Sequence, residues 1–369
     1  MTMPRAYVHR LPAGGPDDVG PIVRAIAAGD IDPAGIVAIL GKTEGNGCVN
    51  DFTRAFAVAA LRGALAAHLP GDKLAAISMV MSGGTEGGLA PHWLVLERRA
   101  GEAGRSPALA IGSVHTADLA PEALGRRAQA DMVADGVRDA MANAGIDDPD
   151  DVHFVQIKCP LLTIERIAEA GARGRPTATG DTLKSMGLSR GASALGVAMA
   201  LGEIAPEAIT DAAIGHDSDL WSGRASASAG VELMNHEIVV LGMSAGWTGP
   251  LGVAHAVMND AIDIEPVRDA LGRLGLATAG QLAPDLRSRM VALLAKAEAS
   301  RSGSLRGHRH TMLDDSDIPA TRHARGFVGG ALAALVGHSE IFVSGGAEHQ
   351  GPDGGGPVAV IAVRQEIVN

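Results

Sequence analysis

The chain has 369 residues with a formal net charge of -11; 46% are hydrophobic, only 2% are aromatic, and 49 are glycine. That balance argues against a general nucleic-acid binder, which needs a basic footprint and commonly aromatic stacking platforms, and on the same ground against a membrane surface. Length allows two or three domains, and the core must be packed with Ala, Val, Leu, Ile and Met rather than rings.

In chain order, the N-terminal MTMPRAYVHRLPAGGPDD lacks the apolar stretch of a signal peptide, and no segment has the ~18 uninterrupted apolar residues of a membrane span. A soluble cytoplasmic protein is expected. The run GIVAIL (35–40) reads as a strand, followed by the Gly-rich GKTEGNG (41–47). Asn50 or Asp51 then offers an N-cap for the helix FTRAFAVAALRGALAAH. LAAISMVMS reads as the next strand and ends in Ser-Gly-Gly. The polar GEAGRSP (101–107) reads as a linker.

A second unit opens with the strand ALAIGSV (108–114) and a long helix starting at Pro121, a good first helical residue. VHFVQIKCP (152–160) is a β-rich run and TIERIAEAGA a helix. SMGLSRGASALGVAMALG reads as a loop with an arginine leading into an apolar helix; SGRASASAGVE (222–232) reads as a small-residue stretch before the strand EIVVLGM. In a third unit, MVALLAKAEAS (290–300) looks helical by propensity, but its place in the repeat predicts a strand. IFVSGG closes the pattern. The alternation of apolar runs and amphipathic segments predicts an α/β fold, with units at 1–104, 108–250 and 255–369.

Three residue types recur in one order: Lys42, Arg54, Ser82; Lys158, Arg190, Ser226; Lys296, Arg322, Ser344. Each lysine closes an apolar run. A serine hydroxyl is a poor nucleophile until a base takes its proton, and a lysine serves as that base when desolvation and neighbouring cations lower its pKa. Gly-rich turns let backbone N–H groups approach an oxyanion. If the units met around one axis, their centre would suit a flat, acidic ring bearing carbonyls in a threefold pattern. Blander readings compete. A phosphate loop would need glycine where Ile36 stands. A single lysine is usually a solvated strand end, and a single SGG is usually a plain turn. His308, His310, His323, His338 and His349 crowd the last third without His-Glu-x-x-His spacing, so structural roles fit them best. Cys48 and Cys159 show no Cys-x-x-Cys or Cys/His spacing and read as small buried hydrophobes.

The phrases LGKTEGNGCVNDFTRAFA (40–57), VMSGGTEGGLAPHW (80–93), HFVQIKCPLLT (153–163), SMGLSRGASALG (185–196), SASAGVEL (226–233), AKAEAS (295–300), GHRHTMLDDSDI (307–318), TRHARG (321–326) and VSGGAEHQGPDGGGP (343–357) resemble the cyanuric acid hydrolase and barbiturase family. The resemblance runs along nearly the whole chain. It implies three structurally similar α/β units around a pseudo-threefold axis, a central active site and a small planar cyclic amide as substrate. It implies Ser226 as nucleophile and Lys158 as its base, with Lys42–Ser82 and Lys296–Ser344 polarising the other carbonyls. Arg54, Arg190 and Arg322 would bind the ring together with main-chain groups at Gly83, Ala227 and Gly345.

The resemblance also implies a structural Mg²⁺ or Ca²⁺ held by Glu298 and groups at Ala347, Gln350, Gly351, Pro352 and Gly355; no cofactor would serve catalysis itself. Carbonyl and carboxylate oxygens suit such a hard cation. A tetramer is implied as well. The expected reaction converts cyanuric acid to carboxybiuret, which decarboxylates to biuret, and replacing Ser226 would abolish it. Opening of barbituric acid to ureidomalonate is the nearest alternative; a metal-dependent amidohydrolase and a non-catalytic binder of a planar anion are more distant ones.

Overall fold

The computed structural model describes residues 2–104 and 106–365. A first group of elements runs β1 (Thr2–Pro12), α1 (Gly20–Ala28), β2 (Ile36–Thr43), α2 (Phe52–Leu65), α3 (Gly71–Ala75), β3 (Ser78–Gly83) and β4 (His92–Glu102). A second runs β5 (Ala108–His115), α4 (Arg127–Ala144), β6 (Val152–Pro160), α5 (Ile164–Ala172), α6 (Thr182–Ala200), β7 (Ala225–Gly230) and β8 (Glu237–Ser244). The third has β9 (Leu251–Met258), α7 (Glu265–Arg273), α8 (Pro284–Arg289), β10 (Met290–Ala297), a small hairpin of β11 (Ser304–Leu305) and β12 (His308–Arg309), α9 (Ala320–Val336), β13 (Phe342–Gly345) and β14 (Gly356–Val363).

The three groups build three four-stranded sheets, ordered β1-β4-β2-β3, β5-β8-β6-β7 and β9-β14-β10-β13. In each, the parallel pair at one edge (β2 with β3, β6 with β7, β10 with β13) is joined through helices, and the last strand in sequence runs antiparallel to both its neighbours. A parallel pair needs such a crossover because its ends lie at opposite edges. Both faces of each sheet are covered. In β2, Ala38 and Leu40 join a core shared by residues of all three sheets, whereas Ile39 packs with Leu61 and Leu65 of α2. In β10, Leu294 enters the shared core while Leu293 and Ala295 face the local helices. With side chains alternating along a strand, the residue two places beyond Leu40, Val80, Leu294 or Phe342 points to the same shared side. Those residues are Lys42, Ser82, Lys296 and Ser344.

The strand expected in 290–300 is present over Met290–Ala297 despite its helical propensity, because burial on both faces selects a continuous apolar strand. Three boundaries differ from expectation. Pro121 opens only a 3₁₀ turn, Pro121–Ala123, since Gly125 at φ +72° breaks the path before α4. The segment read as a loop before Arg190 is already helix: Asp181 caps the N–H groups of Leu183 and Lys184, so α6 starts at Thr182. The small-residue stretch 225–230 is itself a strand, β7, whose Ala and Ser side chains admit close packing of the neighbouring sheets. Among the described residues no helix is long and apolar enough to cross a membrane.

Candidate active site

Strand register places the lysines and serines. Lys42 stands opposite Ser82 in the β2–β3 pair and donates to its Oγ at 3.3 Å; Lys296 stands opposite Ser344 and donates to it at 3.3 Å. In the second sheet the residue opposite Lys158 is Ser228, not Ser226. Ser226 pairs with Gln156, one step deeper, where the other sheets carry Val80 beside Leu40 and Phe342 beside Leu294. Its hydroxyl is buried without a hydrogen-bond partner among the described residues. Two further relations agree with this register. The three strand ends share the spacing Ser-(Gly/Ala)-Gly-x-Glu: Ser82 to Glu86, Ser344 to Glu348, Ser228 to Glu232. Lys158 Nζ donates to the carbonyl of Met81, just before Ser82 (2.7 Å), and Lys296 Nζ to that of Ala227, just before Ser228 (2.8 Å).

The main-chain position matching Gly83 and Gly345 is therefore Ala229 rather than Ala227. The Ala227 N–H is already committed to Gln350 Oε1 at 2.6 Å. The spacing to the glutamate is the sequence signal for the serine in register with Lys158.

The arginines form a ring of contacts between sheets. Arg190, inside α6, grips Glu348 of the third sheet through two hydrogen bonds of 2.7 and 2.6 Å. Arg325, in α9, grips Glu86 of the first sheet through two of 2.6 and 2.7 Å. Arg54, in α2, reaches the second sheet and donates to the Ala229 carbonyl at 3.0 Å. Arg325 is thus the third member of the set. Arg322 lies one turn earlier, its side chain 37% exposed against 4% for Arg325, and adds an outer hydrogen bond to Glu86 at 2.9 Å. The second glycine of each SGG turn makes room for these arginines. Gly84 (φ +105°) and Gly346 (φ +76°) adopt left-handed backbone, and a Cβ on either would fall within 2.6 Å of the Arg325 or Arg190 guanidinium.

Electrostatics follow from burial. Burial lowers the Lys42 ammonium well below its ordinary value, and the Arg325 charge lowers it further. Burial and Arg190 bring Lys296 to about 7. Burial also lowers Lys158, against the opposing pull of Glu232. Burial pushes the Glu86 carboxyl up, but Arg325 and Arg322 outweigh it and hold it at about 2; Arg190 does the same for Glu348, also about 2. A buried centre with this excess of cationic groups favours an anionic, carbonyl-rich guest and eases proton removal from a hydroxyl. A cavity of about 660 Å³ leads to it past Cys48, Arg190, Arg322, Arg325, Gly345 and Glu348.

Residues 7–363 match the family described as amidohydrolase ring-opening protein. The chain belongs to the ring-opening amidohydrolase family. It is 64% identical over 363 residues to a cyanuric acid amidohydrolase of Azorhizobium caulinodans, covering 98% of this chain and 99% of that one, and 61% identical to one from a Bradyrhizobium strain, covering 98% and 99%. The crystal structure of the cyanuric acid hydrolase from A. caulinodans superposes with a TM-score of 0.92 at 63% identity, over 98% of this chain and all of that one. A second cyanuric acid hydrolase structure, described as an evolutionary innovation by structural concatenation, gives 0.94 at 48% identity over 98% and 100%. Membership in the family makes this chain a hydrolase of cyclic amide C–N bonds.

Of the cation ligands expected from the resemblance, Glu298 follows β10 and the others lie in the loop between β13 and β14. Glu298, two residues beyond Lys296, lines the cavity mouth, where burial and the neighbouring Glu348 push its carboxyl up to about 7. The loop after Glu348 is tightly folded: Gln350 N donates to Ala347 O, Gly355 N to Pro352 O, and Gly351 (φ +91°) N to Ser222 O. Among the described residues no three His, Cys, Asp or Glu side chains gather as a metal site; the expected set consists of one carboxylate and loop oxygens. The late histidines sit apart, His338 on Arg10, His323 on Asp315, and His349 between the Leu220 carbonyl and the Gly215 N–H.

Proposed function

We propose that this protein opens the triazine ring of cyanuric acid by Ser-Lys nucleophilic catalysis. The observation that carries the reading is the register of three buried lysines with three serines beneath three arginines, in a chain 64% identical to a cyanuric acid amidohydrolase. We read the sheets as units of 1–104, 108–250 and 255–369 about a pseudo-threefold axis, so that each ring carbonyl meets one Ser-Lys pair. Lys42 with Ser82 and Lys296 with Ser344 polarise two of them. At the third, Ser228 Oγ attacks the carbonyl carbon while its proton passes to Lys158. Main-chain N–H groups after the serines and the arginines stabilise the oxyanion. The ring C–N bond breaks as its nitrogen takes a proton back from Lys158. Water then hydrolyses the acyl-serine, giving carboxybiuret, which loses CO₂ to leave biuret.

The test is steady-state turnover on two rings. We expect CO₂ and biuret from cyanuric acid, with kcat/KM at least about tenfold above that for barbituric acid, whose CH₂ replaces one N–H. Faster ureidomalonate production from barbituric acid would reverse the substrate assignment; no product from either would leave a non-catalytic binder.

The raised Glu298 carboxyl fits a nearby divalent cation, which would stabilise its ionised form. Glu298 and oxygens of Ala347, Gln350, Gly351, Pro352 and Gly355 would hold it, bracing the loop that carries Glu348. Chelator treatment is then expected to lower the melting temperature, with recovery on adding Mg²⁺ or Ca²⁺; a melting temperature unmoved by either would count against the site. The family resemblance also carries the expectation of a cytoplasmic tetramer.

A further inference from the structure

The second Ser-Lys set departs from the other two at its glutamate. Glu86 and Glu348 are each gripped by two hydrogen bonds from an arginine on a helix of another group, whereas Arg54 makes no such fork and donates through Nη1 and Nη2 to the carbonyls of Ala229 (3.0 Å) and Cys48 (2.7 Å). Glu232 is left to Lys158, whose Nζ lies 2.8 Å from Oε1. The turn explains the difference. Gly230 does not share the left-handed backbone of Gly84 and Gly346, and a Cβ on it would meet the Glu232 carboxylate at 2.1 Å, so this glutamate folds back over its own strand end. Opposite Lys158 on β8 stands a second buried carboxyl, Glu237, where the first sheet has His92 opposite Lys42.

We infer that Glu232 is a positioning residue for the reaction: it holds Lys158 charged in the resting enzyme and takes its proton when Lys158 must act as base. The inference rests on the Ser228–Lys158 reading above. Its proton balance closes. One proton moves from Lys158 Nζ to Glu232, leaving a neutral amine. As the Ser228 Oγ–carbon bond forms, the Ser228 proton moves to that amine. When the ring C–N bond breaks, Lys158 protonates the leaving nitrogen and Glu232 returns its proton to Lys158. In a buried site the neutral amine–acid pair lies close in energy to the ion pair, because desolvation penalises both charges. Facing Lys158 and Glu232 are also Arg54 from α2, Arg166 from α5, Glu237 from β8 and the Cys159 thiol.

The test is the pH profile of kcat/KM on cyanuric acid for the wild type, Glu232→Gln, Glu232→Asp and Glu86→Gln. In the wild type one proton stays within the Lys158–Glu232 pair, so the acid limb follows ionisation of the Glu232 carboxyl. Glu232→Gln leaves Lys158 no internal acceptor, so the amine must give its proton to solvent before it can act as base; the acid limb moves to higher pH and kcat falls at least about tenfold. Glu232→Asp, one methylene short of the contact, falls between wild type and Glu232→Gln in both, and decides the matter if Glu232→Gln does not fold. Glu86→Gln keeps the limb at its wild-type pH. A wild-type limb and rate in the Glu232 variants, or an equal limb shift in Glu86→Gln, overturns the inference. A fully active Ser228→Ala would instead overturn the underlying assignment, so the two failures are separable.

Discussion

Ser228→Ala is expected to lose at least about 10⁴-fold in kcat on cyanuric acid, as removal of a serine nucleophile does elsewhere. Ser226→Ala is expected to keep kcat/KM within about threefold of wild type, since it deletes a hydroxyl that touches no reacting group. The two serines lie on one strand and one face, yet their surroundings are opposite. Ser228 faces Lys158 at the strand end; Ser226 sits in the shared apolar core, opposite Gln156, its oxygen without a hydrogen-bond partner among the described residues. Removing an unpaired buried hydroxyl should leave stability unchanged or raise it by about 1 kcal/mol. Steady-state rates and thermal unfolding of both variants check the pair. Loss of turnover in Ser226→Ala, with retention in Ser228→Ala, would mean the register has been misread.

Arg325→Ala should cost about 10²-fold or more in kcat/KM and about 3 kcal/mol of stability, because it leaves a partly buried carboxylate stripped of its bidentate partner. Arg322→Ala should cost less than about tenfold, mostly in KM, because its exposed guanidinium adds only an outer contact at the cavity mouth. A pH signature accompanies the first change. Glu86 is held at about 2, below its ordinary 4.5, so it contributes stability that is present above about 4.5 and lost as pH falls through about 2. Wild-type stability therefore falls more steeply over that window than Arg325→Ala stability does. Chemical denaturation at pH 7 and at pH 3 measures the difference directly.

How far these features were legible in the sequence depends on the range of the physics behind them. Local alternation shows β2, β6 and β10, and the repeat of lysine-ended strands identifies 290–297 as a strand against its own propensity. The helix cap at Asp51 is equally local. Register is not. In SASAG both serines point the same way, and only the pairing with β6 decides which one meets Lys158. The Ser-x-Gly-x-Glu spacing encodes which serine stands opposite Lys158, whereas the family resemblance carried onto SASAG implies the earlier serine. Arg322 and Arg325 pose the same difficulty on a helix: three residues apart, they share a face and both touch Glu86, so packing depth alone separates them. The arginine–glutamate contacts between sheets depend on how whole units dock, and no spacing within one unit reveals them.

Rapid acid quench during turnover of cyanuric acid, followed by mass spectrometry of the peptide that begins at Ala225, reads the nucleophile most directly. An acyl adduct is expected on Ser228, resolved from Ser226 by fragmentation. An adduct on Ser82, Ser344 or Ser226, or steady turnover in Ser228→Ala, would contradict it.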